Sequence, residues 1–212
     1  QFLKLAGYGT LGVLAGGIWP FIDPTTASQL TTADQKPRSL PDLDLSLIAR
    51  PARVPIFPGE PTQVLQYQAI AHRGSQDRVV QLPRSYLGPI IKAHRGEKVR
   101  IRFRNDTVEK SIVHWHGLHV PAIMDGHPRH VVSQGESYFY EFEVKNRAGT
   151  YWYHPHPHGR TGPQVYRGLA GLFIVSDDEE RSARLPSDEY DVPLVIQDRT
   201  FDRGNQLIYT AG

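Results

Sequence analysis

Two short histidine pairs stand about forty residues apart in the chain, His114-Trp115-His116-Gly117 and His154-Pro155-His156. In an extended segment side chains alternate faces, so residues two apart point the same way and each His-x-His presents two imidazoles to one side. Imidazole suits copper, zinc, iron and nickel, and two such pairs on neighbouring strands supply four nitrogen ligands without any thiolate. Trp115 then points the opposite way, into apolar packing. Asp125, nine residues after His116 in Met124-Asp125-Gly126, adds a carboxylate nearby, although an Asp-Gly pair is also ordinary turn chemistry.

The elements that would carry these residues are short strands. Apolar or alternating runs cover 64–71, 90–93, 98–105, 113–116, 137–144, 150–154 and 169–175. In the third of these, Val99, Ile101 and Phe103 share one face and Arg100, Arg102 and Arg104 the other, as a half-buried antiparallel strand requires. Seven short strands imply a β-sandwich. Pro155 and Pro157 cannot donate backbone hydrogen bonds, so residues 154–158 belong at a sheet edge or strand end. Gly168 and Gly171 suit close backbone packing behind the site.

Composition bounds the rest. The 212 residues suffice for one full sandwich domain and part of another. The formal charge of +2 is close to balanced and its basic residues are scattered, which does not point to nucleic acid. There is no cysteine, so no thiolate can build a blue copper site, and the lone methionine, Met124, excludes a Met-rich copper-handling segment. Residues 1–27 form an apolar, glycine-rich segment similar to a twin-arginine export signal. Its glycines speak against both a strong isolated helix and a firm membrane span. Residues 28–62 are rich in proline and read as an extended linker. A first sandwich domain is expected over 63–176, a charged linker over 177–190, and the start of a second domain over 191–212, opening with a strand at 192–198.

The motifs have a context as well as a spacing. HWHGLHVPAIMDGHP, starting at His114, and AGTYWYHPHPHGRTGPQVYRGLAGLFIV, starting at Ala148, closely resemble the N-terminal domain of multicopper oxidases of the bacterial, laccase-like and cuprous-oxidase-like branch, and the resemblance covers roughly residues 60–212. It implies an all-β, cupredoxin-like Greek-key β-sandwich. It also implies that His114 binds a type 2 copper, while His116, His154 and His156 bind the paired type 3 coppers of one trinuclear cluster. Asp125 resembles the family's carboxylate beside the type 2 copper, which relays protons to reduced oxygen. In the family the other four ligands and the type 1 copper cysteine come from C-terminal motifs that this chain does not contain. The expected partners are therefore the remaining C-terminal portion of the same oxidase, dioxygen, and a phenolic or metal-ion electron donor, in an exported protein of the periplasm or cell exterior.

Other readings differ in what they require. Retention of all four histidines argues against a copper-free scaffold of the same fold, while a non-enzymatic copper-binding or storage protein stays compatible with them. A copper nitrite reductase would place a type 1 cysteine in this first domain, and none is there. A zinc hydrolase would use three protein ligands, a water and a carboxylate base, a role Asp125 could nominally take. His158 falls beyond the two histidines that the resemblance assigns to metal. His72, His94, His119, His127 and His130 read as solvent-facing or hydrogen-bonded residues.

Overall fold

A computed structural model describes residues 40–210 of the chain. Residues 1–27, with the export-signal reading placed on them, lie outside the described residues, as do residues 28–39 of the expected linker. The described strands, in chain order, are β1 (Leu43–Val54), β2 (Thr62–Arg73), β3 (Val79–Val80), β4 (Ile90–His94), β5 (Lys98–Asn105), β6 (Val113–His116), β7 (Ser137–Glu143), β8 (Gly149–Pro155) and β9 (Gly171–Ser176). Two short helices, α1 (Thr161–Tyr166) and α2 (Asp178–Ala183), join them.

The strands form two sheets, ordered β2-β1-β5-β7 and β3-β4-β9-β8-β6. The pairs β1–β5 and β4–β9 are parallel and the others antiparallel. Alternation sets the faces: Leu43, Leu45 and Leu47 of β1 and Val99, Ile101 and Phe103 of β5 are fully buried between the sheets. They meet Ile91, Trp115, Tyr153, Phe173 and Val175 from the second sheet in one continuous core. Each such side chain contributes about 1.5–3 kcal/mol through burial. This is the all-β, cupredoxin-like Greek-key sandwich that the family resemblance implies. Trp115 has no solvent exposure and packs edge-on against Tyr140 across the core, 5.1 Å between ring centroids.

Three differences from the sequence reading have physical causes. The proline-rich linker, expected through residue 62, carries β1, one of the two longest strands described. Its Leu-Asp-Leu-Ser-Leu alternation outweighs Pro51, which lies past Ala49, the last residue paired to β5, where one flank of the strand has no neighbour. The charged segment after residue 176 includes α2, started by Asp177, whose carboxylate accepts from the Glu180 N–H at 2.8 Å. Residues 192–198 are not a strand among the described residues. Val192, Leu194 and Ile196 have the alternation of one but project into solvent, and their backbone has no ladder partner there.

Candidate metal centre

β6 and β8 run antiparallel at one margin of the second sheet, in a register that sets His114 opposite His154 and His116 opposite Trp152. Both histidines of β6 therefore share a face with His154. The ladder continues one step past Pro155, where the His156 N–H donates to the Ile112 carbonyl at 3.0 Å. The four rings gather closely: His114 lies 5.6, 5.2 and 5.2 Å from His116, His154 and His156, centroid to centroid. One nitrogen from each of His114, His116 and His154 falls within 4.8 Å of the others.

Backbone carbonyls fix which nitrogen is free. His114 Nδ1 is 2.7 Å from the Asp125 carbonyl oxygen, and His154 Nδ1 is 2.9 Å from that of Pro155. A carbonyl only accepts, so each Nδ1 carries the proton and each Nε2 keeps a lone pair for metal. His116 Nδ1 then faces His154 Nε2 at 3.2 Å. Two nitrogens bound at about 2.0–2.1 Å in tetrahedral geometry stand roughly 3.3 Å apart, so this pair has the spacing of neighbouring ligands on one ion. His156 Nδ1 is buried without a hydrogen-bond partner, a polar atom whose cost a metal would remove.

The electrostatics of the second pair, His154 and His156, suit metal binding. Burial pushes His154 from 6.5 down to about 4, opposed in part by the hydrogen bond to the Pro155 carbonyl and helped to a lesser degree by the neighbouring rings of His114, His116 and His156. Burial also lowers His156, with His114 adding to it and Asp125 opposing. Imidazoles must be neutral to ligate, and both shifts run in the direction that favours the neutral ring.

Asp125 reaches the site through its turn. Gly126 has φ +75°, and a Cβ there would lie 2.0 Å from the Val113 carbonyl oxygen, so only glycine lets the 122–126 turn rest on β6. That close approach brings Asp125 against the His114 ring, with Oδ1 3.3 Å from Nδ1. On the core side, the Tyr140 hydroxyl accepts from the Val113 N–H at 3.0 Å and donates to the Val113 carbonyl at 2.8 Å, anchoring β6 to the opposite sheet.

The sequence reading missed one wall of the site. The Trp152 indole lies 4.2 Å from the His154 ring and 4.9 Å from His116, tilted by 36° and 33°. The available signal was its position two residues before His154, on the same strand face. The remaining histidines stay apart from the cluster. His158 and His119 are exposed, His127 Nδ1 accepts from the Arg129 N–H, and His130 stacks near Tyr138. His72 bonds Ser46, and His94 Nδ1 lies 3.0 Å from the Arg95 carbonyl.

The multicopper oxidase family profile matches residues 64–180. The chain is 38% identical to the multicopper oxidase mco of Staphylococcus aureus over 130 residues, which cover 61% of this chain and 29% of that protein. It is 35% identical over 127 residues to the cell division protein FtsP of Sodalis glossinidius, covering 58% and 27% of the two. The crystal structure of McoA multicopper oxidase from Aquifex aeolicus superposes with a TM-score of 0.68 at 38% identity, over 81% of this chain and 36% of that one. The matched stretch thus spans about a third or less of these relatives. With the paired histidines converging on a sandwich of this kind and the profile covering more than half its length, the chain belongs to the multicopper oxidase family.

Proposed function

We propose that this chain provides one half of a trinuclear copper cluster in an oxidase that couples one-electron oxidation of phenolic or metal-ion donors to reduction of dioxygen to water. His114 would hold the type 2 copper, and His116, His154 and His156 the type 3 pair. The observation that carries the reading is the convergence of His114, His116 and His154 nitrogens within 4.8 Å, with two of the three rings oriented by backbone carbonyls. Three coppers would supply electron storage and an oxygen-binding site for a four-electron reduction. The chain's own residues hold those imidazoles aligned, Trp152 covers one side of the His154 and His116 rings, and Asp125 keeps a carboxylate beside His114 from which protons can be passed inward. The other ligands and the type 1 cysteine would come from a C-terminal portion of the same oxidase. The apolar residues 1–27 support an exported protein.

A non-enzymatic copper-binding or scaffold protein of the same fold is the second reading, and the similarity to a relative named as a cell division protein is what speaks for it. Copper analysis of the full-length protein after reconstitution, with oxygen uptake on a phenol or on cuprous ion, separates the two. Stoichiometric copper and donor-dependent oxygen uptake, both lost in His154→Ala, support the oxidase. A protein that stays copper-free and consumes no oxygen overturns it.

A further inference from the structure

Beyond the ligand set, one buried polar network centres on Gln164 of α1, a helix that begins five residues after His156. A six-residue helix has no stability of its own and takes its place from what holds it. Gln164 is fully buried. Its Oε1 accepts from Ser111 Oγ at 2.9 Å, and its Nε2 donates to the Lys110 carbonyl at 2.9 Å and to Glu109 at 3.3 Å. Residues 109–111 run directly into β6 and His114. Glu109 also pairs with Arg160 and Arg167, which flank α1.

The opposite side of α1 is gripped by residues 199–209. Arg199 Nε donates to the Tyr166 carbonyl at 2.8 Å and a terminal nitrogen to that of Val165 at 3.3 Å, both at the C-terminal end of the helix, where a cation is favoured. Its guanidinium sits 4.7 Å above the Tyr166 ring, and the Thr200 N–H donates to the Tyr166 hydroxyl at 2.7 Å. Tyr209 meets Tyr166 edge-on at 5.1 Å between centroids, its hydroxyl so near Gly162 that a Cβ there would be 2.6 Å away.

We propose that Arg199 is a positioning residue for the metal centre, acting through α1. The clasp of 199–209 holds the helix, Gln164 holds the approach to β6, and so the spacing of His114 and His116 from His154 and His156 depends on a segment remote from the histidines. This inference rests on the reading of those four residues as copper ligands. Coupling of this kind is reciprocal: whatever the clasp adds to copper affinity, copper adds to the docking of the clasp.

The test uses the full-length protein with Arg199→Ala, Arg199→Lys and, as an exposed ion-pair control, Arg104→Ala. Copper(II) affinity is measured by chelator competition, and amide hydrogen exchange of residues 161–168 and 199–209 is followed with and without copper. Copper should slow exchange across both segments in the unaltered protein. Arg199→Ala should speed that exchange and weaken copper about 5- to 10-fold at unchanged stoichiometry, within the usual range of such coupling. Arg199→Lys should recover part of the loss, since an ammonium lacks the guanidinium's fork, and Arg104→Ala should change nothing. Faster exchange in Arg199→Ala with unaltered copper affinity overturns the proposal, as does unaltered exchange. An unaltered protein that takes up no copper at all instead overturns the oxidase reading on which it rests.

Discussion

Gly126 lies on the backbone of Val113 so closely that a methyl group at its Cα would overlap the carbonyl oxygen. The turn that carries Asp125 and the strand that carries His114 are in effect a single packed unit. Gly126→Ala imposes both a left-handed backbone on a residue with a side chain and a clash with main chain that cannot rotate away. The expected cost is about 2–4 kcal/mol, read as a lower denaturant midpoint. Copper uptake should fall more than in a surface Gly→Ala control such as Gly135→Ala, where a Cβ meets nothing within 4 Å.

The His154 titration offers a direct check on the burial of that ring. In the copper-free protein its ring should titrate near pH 4 by NMR, about where the burial of the ring places it. A midpoint close to the ordinary 6.5 would contradict the geometry described. The sign for stability follows from linkage. With the folded value below the unfolded one, the unfolded chain binds the extra proton between about 4 and 6.5. The contribution is complete above 6.5 and is lost as pH falls toward 4, so the denaturation midpoint of the copper-free protein should rise with pH across that window. His154→Phe should flatten the rise.

Tyr140→Phe removes only an oxygen atom, but that oxygen serves both the N–H and the carbonyl of Val113. Two buried backbone groups lose their partner, at about 1–3 kcal/mol each. Chemical denaturation should report a loss of roughly 2–6 kcal/mol on that basis. A loss below about 0.5 kcal/mol, the size of an ordinary surface change, would show that water or a shifted β6 replaces the contact.

Trp152→Leu keeps an apolar side chain but removes the ring lying over His154 and His116. A fall in copper affinity of about 10-fold is expected, the lower end for residues that orient metal ligands from behind. The overall fold should persist, with far-UV circular dichroism unchanged. Unchanged affinity in this variant would reduce Trp152 to packing.

The strands and the histidine pairs were legible because their information is local. His-x-His reports a shared face by spacing alone, and the strand at Lys98–Asn105 announces itself by alternating Val, Ile and Phe with Arg. β1 was hidden by counting prolines across a long stretch while its own five-residue alternation was present. The role of Gln164 could not be read from sequence, because its three partners lie more than fifty residues away and nothing near it signals burial. Residues 192–198 show the converse: alternation is a property of the segment, whereas a strand also needs a neighbour to bond.

The parallel pairing of β4 with β9 joins residues some eighty positions apart, and β8, which carries His154, is laid between β9 and β6. Contacts that distant in sequence form late, after the loop entropy separating them has been overcome. Before that moment the nascent chain holds two separate histidine pairs, neither able to surround an ion. The two pairs become one set only through the β6–β8 ladder, which places His114 opposite His154, so the four-nitrogen site is a property of strand pairing and not of either His-x-His alone.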